Sequence, residues 1–120
     1  MMQPLEELAV LKHLQEPSAR AFLLLFYTSQ CSLCKIAQAR IERVMQKNTF
    51  EMDFFKCNLD EAPTLPEHFG IRSVPVCMVY NQKGEQKRVE YGLKSEGVYE
   101  SMALSVNPKK GDPKLRLLGF

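Results

Sequence analysis

Of the four cysteines only Cys31 and Cys34, three positions apart, are close together in sequence. A thiolate attacks disulfide sulfur, and a second thiol close by can attack the mixed disulfide that results, so that the pair ends oxidised. A CxxC at the start of a helix favours this. The unpaired N–H groups there and the positive end of the helix dipole both stabilise thiolate over thiol. Cys31 follows seven apolar residues, Ala21 to Tyr27, and a short polar step, Thr28-Ser29-Gln30; after Lys35 the periodicity becomes helical. An apolar run without polar alternation suits a strand covered on both faces. The pair therefore stands where a buried strand gives way to a helix.

Cys57 and Cys77 stand alone inside apolar segments, where cysteine usually fills core space. Four cysteines in a chain of this size do not make a disulfide framework. Zinc is the competing chemistry for a CxxC, but it would need two more ligands. His13, His68, Cys57 and Cys77 offer no second CxxC and no closely spaced histidine pair, so no metal is expected.

The elements that must position the pair follow from periodicity. Leu5, Leu8, Leu11 and Leu14 predict an amphipathic helix from Pro4, ending before Pro17. A strand over Arg20 to Tyr27 is followed by a helix from Cys31 to about Asn48, with Ala37, Ile41, Val44 and Met45 on one face. Glu51 to Leu59 reads as a strand, and Ala62 to Phe69 as a short helix closed by Gly70. Ile71 to Pro75 is an extended link. Val76 to Tyr80 and Glu85 to Tyr91 form a hairpin about the turn Asn81-Gln82-Lys83-Gly84. Ser95 caps a final helix carrying Val98, Met102 and Val106, which Asn107-Pro108 ends. Right-handed crossovers make the first two strands parallel neighbours, and the hairpin extends the sheet antiparallel. The fold class is α/β: a three-layer sandwich with a central mixed sheet of four or five strands and helices on both faces.

One domain over residues 1–107 and a tail over residues 108–120 account for the chain. The tail sets four basic residues against Asp112 and closes with the apolar group Leu115 to Phe120; it is either a frayed terminus or a segment that docks on the body or on a second subunit. A formal net charge of +2 on 120 residues gives no ground for a nucleic-acid partner. No apolar run reaches the roughly 20 residues of a membrane span. The acidic N-terminus lacks a signal-peptide core, so the expected location is cytoplasmic. A monomer or weak dimer is expected.

Beyond the CxxC, the chain resembles the thioredoxin family over roughly Pro4 to Val106. The resemblance is carried by the apolar strand before Cys31-Ser32-Leu33-Cys34-Lys35, by Lys56-x-Asn58-x-Asp60, by Phe69-Gly70-Ile71-Arg72-Ser73-Val74-Pro75, by the Gly84 turn and by Tyr91-Gly92. It implies a thioredoxin-like sandwich and a thiol–disulfide oxidoreductase in which Cys31 is the nucleophile and Cys34 the resolving cysteine. It also implies a cis Pro75 beside the pair, with the Val74 backbone presented to an extended client segment. Gln30, Ser32, Leu33, Val74, Pro75 and Gly92 would form the substrate-binding surface. Lys56 would act in the chemistry, and no cofactor beyond the redox-active disulfide is needed. Partners would be disulfide-bearing client proteins and a reductase or low-molecular-weight thiol. Departures from the family pattern are Ser32-Leu33 in place of Gly-Pro, Gln30 in place of tryptophan, Ala39 in place of the helix-kinking proline, and Leu25 in place of a buried aspartate, with Lys56 retained. The missing buried acid, motif Gly-Pro and tryptophan favour, as a second reading, a redox-sensing or protein-binding module without general reductase activity.

Overall fold

The computed structural model describes residues 1–16 and 20–107. Expectations for Pro17 and for the tail 108–120 lie outside the described residues. Element order is β1 (Gln3–Pro4), α1 (Glu7–Gln15), β2 (Ala21–Tyr27), α2 (Ser32–Lys47), β3 (Met52–Asn58), a 3-10 turn (Leu59–Glu61), α3 (Leu65–Phe69), β4 (Val76–Tyr80), β5 (Gln86–Tyr91) and α4 (Glu96–Val106). The five strands form one sheet in the order β1-β3-β2-β4-β5. β3 runs parallel to both β1 and β2, whereas β4 is antiparallel to β2 and β5. The sandwich expected from the sequence is present, with the fifth strand at the N-terminus.

β2 is central, and every side chain from Ala21 to Phe26 is buried. Its alternation sorts the core into two layers. Ala21, Leu23 and Leu25 join Met52, Phe54, Cys77 and Val79 beneath α2 and α4, where Ala37, Ile41, Val44, Tyr99, Met102 and Val106 close the layer. Phe22, Leu24 and Phe26 join Phe55, Cys57, Val76, Met78 and Tyr80 beneath α1 and α3, which contribute Val10 and Leu65. Stacking of Phe22 on Tyr80 at 4.8 Å ties two neighbouring strands on that side.

Two expectations are corrected. Pro4 does not begin a helix: with Gln3 it pairs beside β3 in register with Lys56 and Phe55, and the Leu5 amide continues the ladder to the Lys56 carbonyl at 2.8 Å. Nor is Leu8 a core residue, for it is 79% exposed, while Val10 points inward at 1%. Residues three apart on a helix lag by about 60° per step, so a leucine every third position wraps around the helix instead of marking one face.

Helix ends follow local chemistry. The Ser95 hydroxyl accepts the Val98 amide at 3.2 Å, as expected of an N-cap. Gly70 closes α3 in a left-handed conformation (φ 66°), which glycine adopts without steric cost. α2 runs unbroken through Ala39.

Candidate active site

The step from β2 to α2 delivers both cysteines to one edge of the sheet. Cys31 is the N-cap of α2, and its sulfur accepts the Cys34 amide at 3.1 Å. Cys34 lies within the first turn and is buried, while Cys31 is half-buried. They form a disulfide with Cα atoms 5.2 Å apart, inside the usual range for such bonds. Cys31 Sγ lies 3.9 Å from the Val74 carbonyl oxygen. The Val74–Pro75 peptide is cis and Pro75 is buried. Beyond it, the Gly92 amide donates to the Pro75 carbonyl at 2.8 Å. Gly92 has φ 83°, and a Cβ there would meet nothing within 4 Å. Backbone conformation, not crowding, is what calls for glycine.

Cys31, Cys34, Val74, Pro75 and Gly92 are therefore one cluster. Ser32, Leu33 and Gln30 surround it on the exposed side, with Leu33 at 49% exposure. Lys56 sits apart from the Val74–Pro75 edge, on the sheet face covered by α2. It is half-buried, with Nζ 3.5 Å from Gln38 Oε1 and 5.7 Å from the centroid of the Tyr27 ring. Its register partner on β2 is the fully buried Leu25, whose other neighbour is Cys77 on β4.

Sequence reasoning missed the contacts that hold the loop before Cys31. The Ser29 amide donates to Asp60 Oδ2 at 2.9 Å, and Asn58 Nδ2 donates to Ser29 Oγ at 3.0 Å. The Asp60 amide returns to Asn58 Oδ1 at 2.9 Å, and the Cys31 amide donates to the Thr28 carbonyl at 3.3 Å. The available signal was the Asn58-x-Asp60 pair directly after a strand: such side chains bond the backbone near chain reversals. Gln38 was also missed, and only its position four residues after Cys34 hinted at it.

The remaining thiols are chemically quiet. Burial pushes Cys57 up to about 11 and raises Cys77 further still, also through desolvation. Little thiolate forms at either near neutral pH. Among the described residues, no group of three or more His, Cys, Asp or Glu side chains is placed to hold a metal ion.

The thioredoxin family model matches residues 5–103. The chain belongs to the thioredoxin family. A thioredoxin of Rickettsia bellii is 35% identical over 68 residues, which are 57% of this chain and 64% of that one. A chloroplastic M-type thioredoxin of Brassica napus is 36% identical over 62 residues, 52% of this chain and 34% of that one. The matched segments thus span just under two thirds of the bacterial relative and a third of the plant one. In three dimensions, thioredoxin f2 of Chlamydomonas reinhardtii superposes with a TM-score of 0.74 at 19% identity, covering 91% of this chain and all of the other. The sheet order, the cis Pro75 and the disulfide-linked CxxC stand together in one thioredoxin fold.

Proposed function

We propose that this chain is a thiol–disulfide oxidoreductase acting on client proteins, with Cys31 as nucleophile and Cys34 as resolving cysteine. The observation that carries the reading is the placement of Cys31. It caps α2, its sulfur receives the Cys34 N–H, and it lies beside Val74-Pro75. A charge-assisted N–H bond to sulfur, together with the helix dipole, favours the thiolate.

In the reduced protein, Cys31 thiolate attacks one sulfur of a client disulfide. That bond breaks, the mixed disulfide forms, and the first client sulfur leaves as thiolate and is protonated by water. Cys34 thiolate then attacks Cys31 Sγ. The Cys31–client bond breaks, the second client sulfur leaves with the electron pair, and the Cys31–Cys34 bond closes. Two electrons have passed to the client. A reductase or a low-molecular-weight thiol restores the dithiol, and no further cofactor enters. Gln30, Ser32, Leu33, Val74, Pro75 and Gly92 form the surface that meets the client. Lys56 acts on the buried side of the pair.

We assign residues 1–107 to the domain and place the protein in the cytoplasm as a monomer or weak dimer; among the described residues no helix is long and apolar enough to cross a membrane. Turnover of a model disulfide protein under reductant tests the reading. Cys31→Ser is expected to lower it at least a thousandfold, and Cys34→Ser to trap client as mixed disulfide. Retained turnover in Cys31→Ser refutes the nucleophile. Leu25 at the buried face favours a second reading, a redox-sensing module. One stoichiometric partner in the trap, held independently of Cys31, would support that module instead of the enzyme.

A further inference from the structure

At the edge of the sheet, β1 and the first turn of α1 border a groove of about 470 Å³. Pro4, Leu5 and Leu8 line it together with Glu6, Glu7 and Glu61, and no basic residue does. Leu8 is a large apolar side chain left 79% exposed. The Thr64 hydroxyl and amide both donate to Glu7 Oε1 and hold that carboxyl below its usual range. Glu6 and Glu61 are exposed and enter no ion pair among the described residues. Asp53, Glu90 and Glu96, by contrast, each meet an arginine or a lysine. The groove therefore offers exposed apolar surface beside negative charge that nothing in the described structure offsets.

One segment of the chain carries the complementary pattern. Residues 108–120 lie outside the described residues and set Lys109, Lys110, Lys114 and Arg116 against Asp112. Within them, Lys114-Leu115-Arg116-Leu117 alternates basic and apolar side chains. An extended run of that kind puts both charges on one side and both leucines on the other. We propose that Lys114–Leu117 docks in the groove of its own chain, with Leu115 and Leu117 against Leu5 and Leu8 and with Lys114 and Arg116 facing Glu6 and Glu61.

The reach of the chain fits. Asn107 is fixed at the start of β3, where its side-chain oxygen accepts the Glu51 amide at 2.8 Å. The groove lies at the other end of that strand, beside Asn58. From Glu51 to Asn58 the strand rises about 23 Å, and the run from Pro108 to Leu115 spans up to about 28 Å when extended. Lys114 arrives at the groove, while Lys109 and Lys110 stop short of it. Exposed ion pairs are weak and screened by salt, so the leucines supply the larger share of the attraction. Attachment to the same chain raises the local concentration of the segment to roughly millimolar, at which a weak contact persists. Asn58 lines the same groove and donates to Ser29 Oγ, so the docked segment lies beside the loop that leads to Cys31. None of this depends on whether the cysteine pair reduces clients.

The test is carbodiimide cross-linking of the full chain, which joins a lysine amine to a carboxylate in contact with it. Links are read by peptide mass spectrometry on an equal mixture of ordinary and nitrogen-15-labelled chains. Lys114 is expected to link to Glu6, Glu7 or Glu61 at least about fivefold more often than to Glu16 or Glu67, exposed acids outside the groove. Both peptides of each link should carry the same isotope. Leu115→Ser with Leu117→Ser should cut the yield at least about threefold, and so should about 0.5 M salt. Lys114→Glu with Arg116→Glu should speed amide hydrogen exchange from Leu5 to Leu8. Links spread evenly over the surface acids overturn the proposal, as does a yield that the leucine substitutions leave unchanged or an exchange rate that the charge reversal leaves unchanged. Links between peptides of different isotope put the segment on a second copy and overturn it as well.

Discussion

The two sulfurs of the redox pair face unlike halves of the molecule. Around Cys31 the contacts are made with backbone: the helix N-cap, the Val74 carbonyl and, beyond it, the cis Pro75 bonded by the Gly92 amide. One turn beyond Cys34 on α2 the contacts are made with side chains: Gln38 meets Lys56, which neighbours Leu25 in the sheet and faces the Tyr27 ring. The first half is built from backbone geometry, whereas the second depends on side-chain identity. Backbone donors and a helix end are fixed by the fold itself, so they survive divergence in sequence. A buried charge and its counter-charge depend on single positions, so one substitution rewrites the electrostatics there.

A carboxylate returned to the buried side would disturb the molecule most. Leu25 is fully buried between Lys56 and Cys77. Leu25→Asp is expected to lower stability by about 2–4 kcal/mol at pH 7, because a charge or an unsatisfied polar group then sits in the core. Burial would raise the new carboxyl's pKa above its unfolded value near 3.9. Its proton-linked penalty is therefore absent below that value, grows as pH climbs to the folded pKa, and levels off above it. Urea melts of Leu25→Asp with and without Lys56→Met measure the coupling. Lys56 should recover at least about 1 kcal/mol of the loss. Equal losses in both backgrounds would mean that the ammonium does not reach the Leu25 side.

A second contrast sets the redox pair against the interior thiols. Cys57, raised to about 11 by burial, keeps its proton in the folded chain where an unfolded one would lose it near 9. The folded state therefore binds more protons between these values, and stability falls as pH rises through that window. The fall is about 2 kcal/mol from pH 9 to pH 11 for Cys57 alone, fully regained below pH 8. Urea midpoints at unit steps of pH should show it. Cys57→Ala, although less stable throughout from its cavity, should flatten the slope. An unchanged slope would show that Cys57 ionises as freely in the fold as out of it.

How much of this could be read from the residues varies in the same way. β2 was legible because an apolar run without alternation has few uses, and α4 because Ser95 announces it. Cys31, Cys34, Val74 and Pro75 were legible as motif residues, and the structure brings them together. β1 was not, because two residues gain strand geometry only from pairing with β3, fifty residues away in sequence. The leucines of α1 misled because three-residue spacing resembles a stripe while Leu8 turns outward. Gln38 and the Ser29–Asp60 contact were hidden because their partners are set by tertiary register. Local periodicity encodes elements; it does not encode which side chains two elements present to one another.

The smallest expected effect sharpens the Cys31 half. If that side is held by backbone alone, the Asp60 bond to the Ser29 amide is dispensable. If the loop needs tethering, the bond matters. It is an exposed, charge-assisted contact at 2.9 Å, so its loss should cost about 1 kcal/mol. Asp60→Ala is accordingly expected to lower kcat/KM for client reduction about three- to fivefold, and Asp60→Asn, which keeps an acceptor oxygen, to restore most of it. A tether acts on where Cys31 sits and not on its charge, so the loss should be equal at pH 6 and pH 8. A loss that grows towards one end of that range, or one that Asn does not repair, would show that the carboxylate acts through its field. In that case the exposed half, too, would depend on a single charged side chain, and the contrast between the two sides of the disulfide would be one of degree.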